Sequence, residues 1–167
     1  MKDDTTRPFY SKRNILLLSS DEDLIKYCNI ENFQDSGKGG QKRNRKYSAV
    51  RLIHIESGIT AECSEFREQN LNRIKAGQKL KLKIAILFSC EQITNMRNIC
   101  SVKNSEYPLW VAYVLDELHR SYFDVKFVAE KLSLSKSRLI KLLYRDRELW
   151  NEVNEQRIKL GKYRLVL

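Results

Sequence analysis

Half of the chain's six glycines, Gly37, Gly39 and Gly40, fall within four consecutive positions of the stretch Asp35-Ser36-Gly37-Lys38-Gly39-Gly40-Gln41. Each glycine loses more backbone freedom on folding than any other residue, so a cluster like this ends any helix or strand. The chain here is a loop that takes up unusual φ values or brings bare backbone very close to something. From Ser36 to Ile55 there is no acidic residue, whereas Lys38, Lys42, Arg43, Arg45, Lys46 and Arg51 are all basic. Bare backbone inside a collar of cations suits a phosphate-rich crevice. A surface loop or a hairpin connection fits the same spacing. A nucleotide-phosphate cradle does not, because G-x-x-x-x-G-K-[ST] is absent.

Around this loop the chain divides into two styles. Before about residue 95 strand and helix signals mix. Ser19 and Glu22 offer a capping box for a short helix reaching Cys28. Strands are expected at Ile30–Gln34, Ser48–Ile55 and Ile59–Cys63, with a turn at Glu56-Ser57-Gly58. From Phe66 to Phe88 the apolar spacing fits a helix, which Gly77 weakens. After about residue 108 everything reads as helix. Trp110, Val114 and Leu118 form one stripe, and Pro108 is expected to hold Tyr107 outside it. Val125, Val128, Ala129 and Leu132 form a second stripe. Ser135 and Asp146 cap two further helices. The fold class expected is α+β over residues 1–100, with the loop at 35–47, followed by a small all-α domain over 107–167.

Lys and Arg outnumber Asp and Glu by 31 to 21, a formal charge of +10, which points to a polyanionic partner and first of all to nucleic acid. With 42% hydrophobic residues and only two prolines, a disordered or low-complexity chain is excluded. The apolar runs Ile15–Leu18 and Ile84–Phe88 fall far short of the roughly 20 residues a membrane span requires. The opening Met1-Lys2-Asp3-Asp4 is acidic where a leader is basic, so a cytoplasmic location is expected. Cys28, Cys63, Cys90 and Cys100 form no C-x-x-C pair, and two histidines make a zinc site improbable. No metal and no cofactor is expected. His54 reads as a packing or hydrogen-bonded residue, and Trp110 and Trp150 as core anchors.

Gly37-Lys38-Gly39-Gly40-Gln41, followed by Asn44 and then Ser48-Ala49-Val50-Arg51-Leu52, resembles the GGQ-loop signature of class I peptide chain release factors. The similarity continues through His54, Ser57-Gly58-Ile59, Cys63, Arg67, Gln69 and Asn72-Arg73, in register from about Ser20 to Leu87. The resemblance implies a GGQ domain whose catalytic residues are Gly39, Gly40 and Gln41. It implies that they enter the peptidyl transferase centre of the large ribosomal subunit and promote hydrolysis of the peptidyl-tRNA ester. It further implies that the Gln41 backbone N–H donates to the developing negative charge while its side chain shapes the water site. Lys38, Lys42, Arg43, Asn44, Arg45, Lys46, Arg51, Arg67 and Arg73 are the implied contacts to 23S-type rRNA. Arg67, Gln69 and Arg73 serve equally well to tie the loop to its domain. The implied partners are the ribosome, peptidyl-tRNA and a glutamine methyltransferase acting on Gln41, with the protein itself a monomer.

The sequence also departs from that family. Lys42-Arg43 stand where His-Val is common, and Arg45-Lys46 replace Lys-Thr. The 167 residues leave no room for a stop-codon-reading domain, so codon-independent release from stalled ribosomes, that is ribosome rescue, is the expected function. A non-hydrolytic ribosome- or RNA-binding factor with a vestigial loop is the alternative. In place of the basic tail of short rescue hydrolases stands a folded segment whose Val125–Arg145 stretch resembles a helix-turn-helix. Its second helix would present Lys136, Arg138, Lys141 and Arg145 as a contact surface, although any Leu-rich helix turns its basic residues outward.

Overall fold

The structure, a computed structural model, describes residues 7–34, 47–88, 99 and 101–167. It divides into two compact units, Met1–Ile84 and Ala85–Leu167. The first is α+β and the second is helical, the fold class expected.

In the first unit, helix α1 (Arg7–Leu18) is followed by α2 (Asp21–Lys26) and then by strands β1 (Cys28–Phe33), β2 (Ala49–His54) and β3 (Thr60–Cys63). The long helix α3 (Gln69–Leu87) comes next and is unbroken through Gly77. The strands form one antiparallel sheet in the order β1-β2-β3, with Cys28 opposite His54, Phe33 opposite Ala49, and Val50 opposite Cys63. Successive strand side chains point to opposite faces, so Val50, Leu52 and His54 share the inward face of β2 and are all buried. Ala61 and Cys63 do the same on β3. With Leu16, Leu17, Leu24, Ala76, Leu80 and Ile84 they make the core of this unit.

Two local expectations are corrected. The cap of α2 is Ser20, whose hydroxyl accepts from the Asp23 N–H, and not Ser19. Ser19 belongs to the end of α1, where its hydroxyl donates to the Leu16 carbonyl at 2.7 Å. The sequence offered both serines with an acid three residues on, and the end of α1 decided between them. The second correction concerns Tyr107, which is the first residue of helix α4 (Tyr107–Arg120) and not outside it. Pro108 occupies the first turn, where its missing N–H removes no intrahelical bond. The turn after β2 forms as expected, with Gly58 at φ +67°.

The second unit contains α4 and then α5 (Val125–Lys131), α6 (Lys136–Leu143) and α7 (Arg147–Lys159). Asp124, Ser135 and Asp146 cap the last three through their side chains. Helix α4 is buried nearly all round, including Asp116 and Glu117. The Glu117 carboxylate accepts from Lys131 at 2.6 Å and Arg120 at 3.1 Å, so the buried charge has two cations at its oxygens.

Cys28 is half-buried beside α2 and its thiol donates to the Leu24 carbonyl. Desolvation pushes its pKa up to about 11 from an ordinary 9.0. A raised thiol pKa means less thiolate, so at about pH 8 alkylation of Cys28 by iodoacetamide is expected to run on the order of a hundredfold slower than for an exposed thiol. Peptide mapping by mass spectrometry checks this. An alkylation rate at Cys28 equal in native and urea-unfolded protein would contradict it.

Candidate functional site

The loop residues Lys38, Gly39, Gly40, Gln41, Lys42, Arg43, Asn44, Arg45 and Lys46 lie outside the described residues. The structure does describe the base on which they stand. Residues 34–48 join the last paired residue of β1, Phe33, to the first of β2, Ala49. The loop therefore springs from the closed end of an antiparallel pair.

One side chain fixes that base. Asn72, in the first turn of α3, is fully buried. Its amide NH₂ donates to the Ser48 carbonyl and to the Phe66 carbonyl, both at 2.8 Å. Its Oδ1 accepts from the Phe66 N–H at 2.9 Å and from the Cys63 thiol at 3.4 Å. A buried amide with four polar sites needs a partner for each, and here each has one. Asn72 thus joins the residue before β2, the last residue of β3 and the segment between β3 and α3. Gln69, one turn earlier, donates to the Tyr47 carbonyl at a long 3.5 Å. Further along α3, Lys79 donates to the Glu62 carbonyl and to Glu65, and Lys83 to the Thr60 carbonyl. These bonds hold α3 alongside β3, antiparallel to it.

Arg51 stands on the outward face of β2, between neighbours on both flanking strands. Its guanidinium meets Glu62 of β3 at 3.1 Å and Glu31 of β1 at 3.2 Å, and it lies 5.1 Å from the centre of the Phe33 ring. Hydrogen bonds donated to Glu62 and then to Glu31 hold its proton more firmly than usual. Two carboxylates on one guanidinium leave this patch without surplus positive charge. Arg67 is exposed on the segment before α3. Arg73 is half-buried, and its Nε has no hydrogen-bond partner among the described residues. His54 is buried, with Nδ1 2.8 Å from the Ser57 hydroxyl and 3.3 Å from the Ser57 N–H. It fastens the β2–β3 turn, in keeping with the packing role read from its strand position.

The resemblance names Arg51, Arg67 and Arg73 among the nine implied rRNA contacts. The structure separates Arg51 from the other two by pairing it across the sheet. Asn72 was legible only as part of a resemblance, since no spacing rule marks an asparagine as a hub. In the second unit Arg138, Lys141 and Arg145 are exposed at i, i+3 and i+7, a single stripe of α6 and the turn after it. Lys136, the first residue of α6, is exposed but lies round the helix from that stripe. Among the described residues no group of three His, Cys, Asp or Glu side chains could hold a metal ion, and no helix is long and apolar enough to cross a membrane.

Residues 24–106 match the family described as the RF-1 domain. The chain is similar to peptide chain release factor 1 of Paracidovorax citrulli, with 47% identity over 55 residues, 33% of this chain and 15% of that protein. It is similar to peptide chain release factor 1 of Delftia acidovorans at 46% over the same length. For peptide chain release factor 1 of Chlorobaculum tepidum the identity is 42% over 71 residues, 42% of this chain and 19% of the relative. The matched part thus spans less than a fifth of these relatives.

Proposed function

Residues 24–106 place the chain in the class I peptide chain release factor superfamily, and from that membership we propose that it hydrolyses peptidyl-tRNA on the ribosome without reading a stop codon. The observation that carries the reading is the intact Gly39-Gly40-Gln41 on a connection whose base is held by the fully satisfied Asn72. An activated ester is cleaved by a positioned water and by donors aimed at the oxyanion; it needs neither a metal nor a protein nucleophile. The Gln41 backbone N–H is the proposed donor, its side chain shapes the water site, and the tRNA 2′-hydroxyl assists. Water attacks the ester carbonyl, the carbonyl–O3′ bond breaks, the peptide leaves as the acid and the tRNA regains its hydroxyl. Lys38, Lys42, Arg43, Arg45 and Lys46 neutralise rRNA phosphates around the loop. The helices from Tyr107 onward continue the chain past the matched segment and carry a basic stripe.

The test is release of labelled peptide by the full chain from ribosomes stalled on an mRNA without a stop codon. Ribosomes halted at a stop codon, and isolated large subunits carrying peptidyl-tRNA, run in parallel. Release is expected at comparable rates with and without the stop codon. Gly40→Ala, whose added Cβ bars the backbone conformation that aims the Gln41 N–H, is expected to lower it roughly 10²–10³-fold, the usual cost of losing one oxyanion donor. Release confined to stop codons would overturn the codon-independent reading. Ribosome binding with no release would leave a docking factor.

A further inference from the structure

We infer that the second unit docks on the phosphate backbone of double-helical RNA through the exposed stripe Arg138–Lys141–Arg145. The stripe is built by the fold. Leu139, Leu142 and Leu143 are buried on one side of α6, and the opposite side carries Ser137, Arg138, Lys141, Tyr144 and Arg145, all exposed. The Arg145 N–H donates to the Leu142 carbonyl, so the helical path continues beyond Leu143 and keeps Arg145 in line with Arg138. The three cations span about 10 Å along the axis.

Charge is concentrated here and balanced elsewhere. Residues 132–145 carry four basic and no acidic side chains. The described ion pairs of this unit are Arg120–Glu117 and Lys131–Glu117; none draws on the stripe. Beyond it Asp146 caps α7, and α7 itself is balanced, with Glu148, Glu152 and Glu155 against Arg147, Arg157 and Lys159. Tyr144 is braced edge-on against Trp150 at 5.3 Å while half of it stays exposed, which adds a rigid apolar shoulder beside the cations.

The side chains presented identify the partner. Three long cations in a row match the acceptors that a duplex repeats along its phosphate backbone. That fits a backbone read for charge and shape. The choice of RNA over DNA rests on the ribosomal reading above.

The test is fluorescence anisotropy of the full chain with a labelled 20-base-pair RNA hairpin and a DNA hairpin of the same sequence, across a salt series. The loop at 35–46 is common to every variant, so differences between variants isolate α6. The triple variant R138Q/K141Q/R145Q is expected to bind the RNA at least tenfold more weakly, and to lower the slope of log affinity against log salt by about 2 to 3, close to one for each phosphate no longer neutralised. Lys159→Gln, an exposed lysine on α7, is expected to change neither. Far-UV circular dichroism confirms the fold, and the single variant Arg138→Gln is expected to lower the slope by about one if the triple variant is less stable. An unchanged slope in the triple variant, or tighter binding to the DNA hairpin, would overturn the inference. The readout is binding alone, so it stands or falls whether or not the chain releases peptide.

Discussion

Trp110→Ala is expected to remove about 3–5 kcal/mol of stability from the second unit, the largest effect of any single side chain there. Trp110 is 1% exposed and stacks on Tyr107, with ring centroids 5.7 Å apart. Alanine removes the indole from the middle of a helix buried on nearly every side, so the lost burial is joined by a cavity that the neighbouring turns fill only in part. A unit of some eighty residues holds on the order of 4–12 kcal/mol in total, so the variant sits close to unfolding. Both tryptophans of the chain, Trp110 and Trp150, belong to this unit, and in the variant Trp150 alone reports on it. Its emission is expected to show a urea midpoint lower by about 2 M or more. Trp110→Phe keeps an aromatic against Tyr107 and should retain most of the stability. A shift of less than about 1 kcal/mol in the alanine variant would mean that Trp110 does not anchor the unit.

Asn72→Ala is the corresponding test of the first unit. The substitution leaves the Ser48 and Phe66 carbonyls and the Phe66 N–H without their partner, in a place where the asparagine is fully buried. Each orphaned group costs about 1–3 kcal/mol, and since the three do not add independently the expected loss is about 2–4 kcal/mol. For a unit of this size that lowers the thermal midpoint by roughly 10 °C or more. Asn72→Asp is expected to be no better, because it keeps the acceptor, loses both donors and buries a carboxyl group. Thermal unfolding followed at the far-UV helix signal decides the point. Lys159→Gln, on α7 of the second unit, serves as the control. A midpoint unchanged in Asn72→Ala would show that Ser48 and Phe66 find other partners, and Asn72 would lose its place as the hub of the loop base.

The two sites differ in how visible they are in the sequence. The core role of Trp110 follows from hydrophobicity and helical spacing, and the structure agrees. The importance of Asn72 comes from Ser48, 24 residues away, meeting the Cys63–Phe66 stretch at one amide. Contacts of that kind carry no period and no local signal. Arg51 teaches the same lesson with the sign reversed. In the sequence it is one more cation in a basic stretch, and only the register of β1 and β3 against β2 sets Glu31 and Glu62 on either side of it.

Local chemistry alone determined a good deal: the turn at Gly58, the inward alternation that takes in His54, the caps at Ser135 and Asp146 and the helical style of the second half. Each depends on neighbours within a few residues, where dihedral limits and side-chain period act directly. The tertiary structure decided whatever depends on distant partners. It chose Ser20 over Ser19 by ending α1 at Leu18, and it buried Glu117 within α4 because Lys131 of the next helix and Arg120 are there to meet the charge. It also made Arg138, Lys141 and Arg145 a surface, by burying the leucines behind them. A charge or an amide is assigned its role by whatever stands within about 4 Å of it, and for these residues the sequence does not state that neighbourhood.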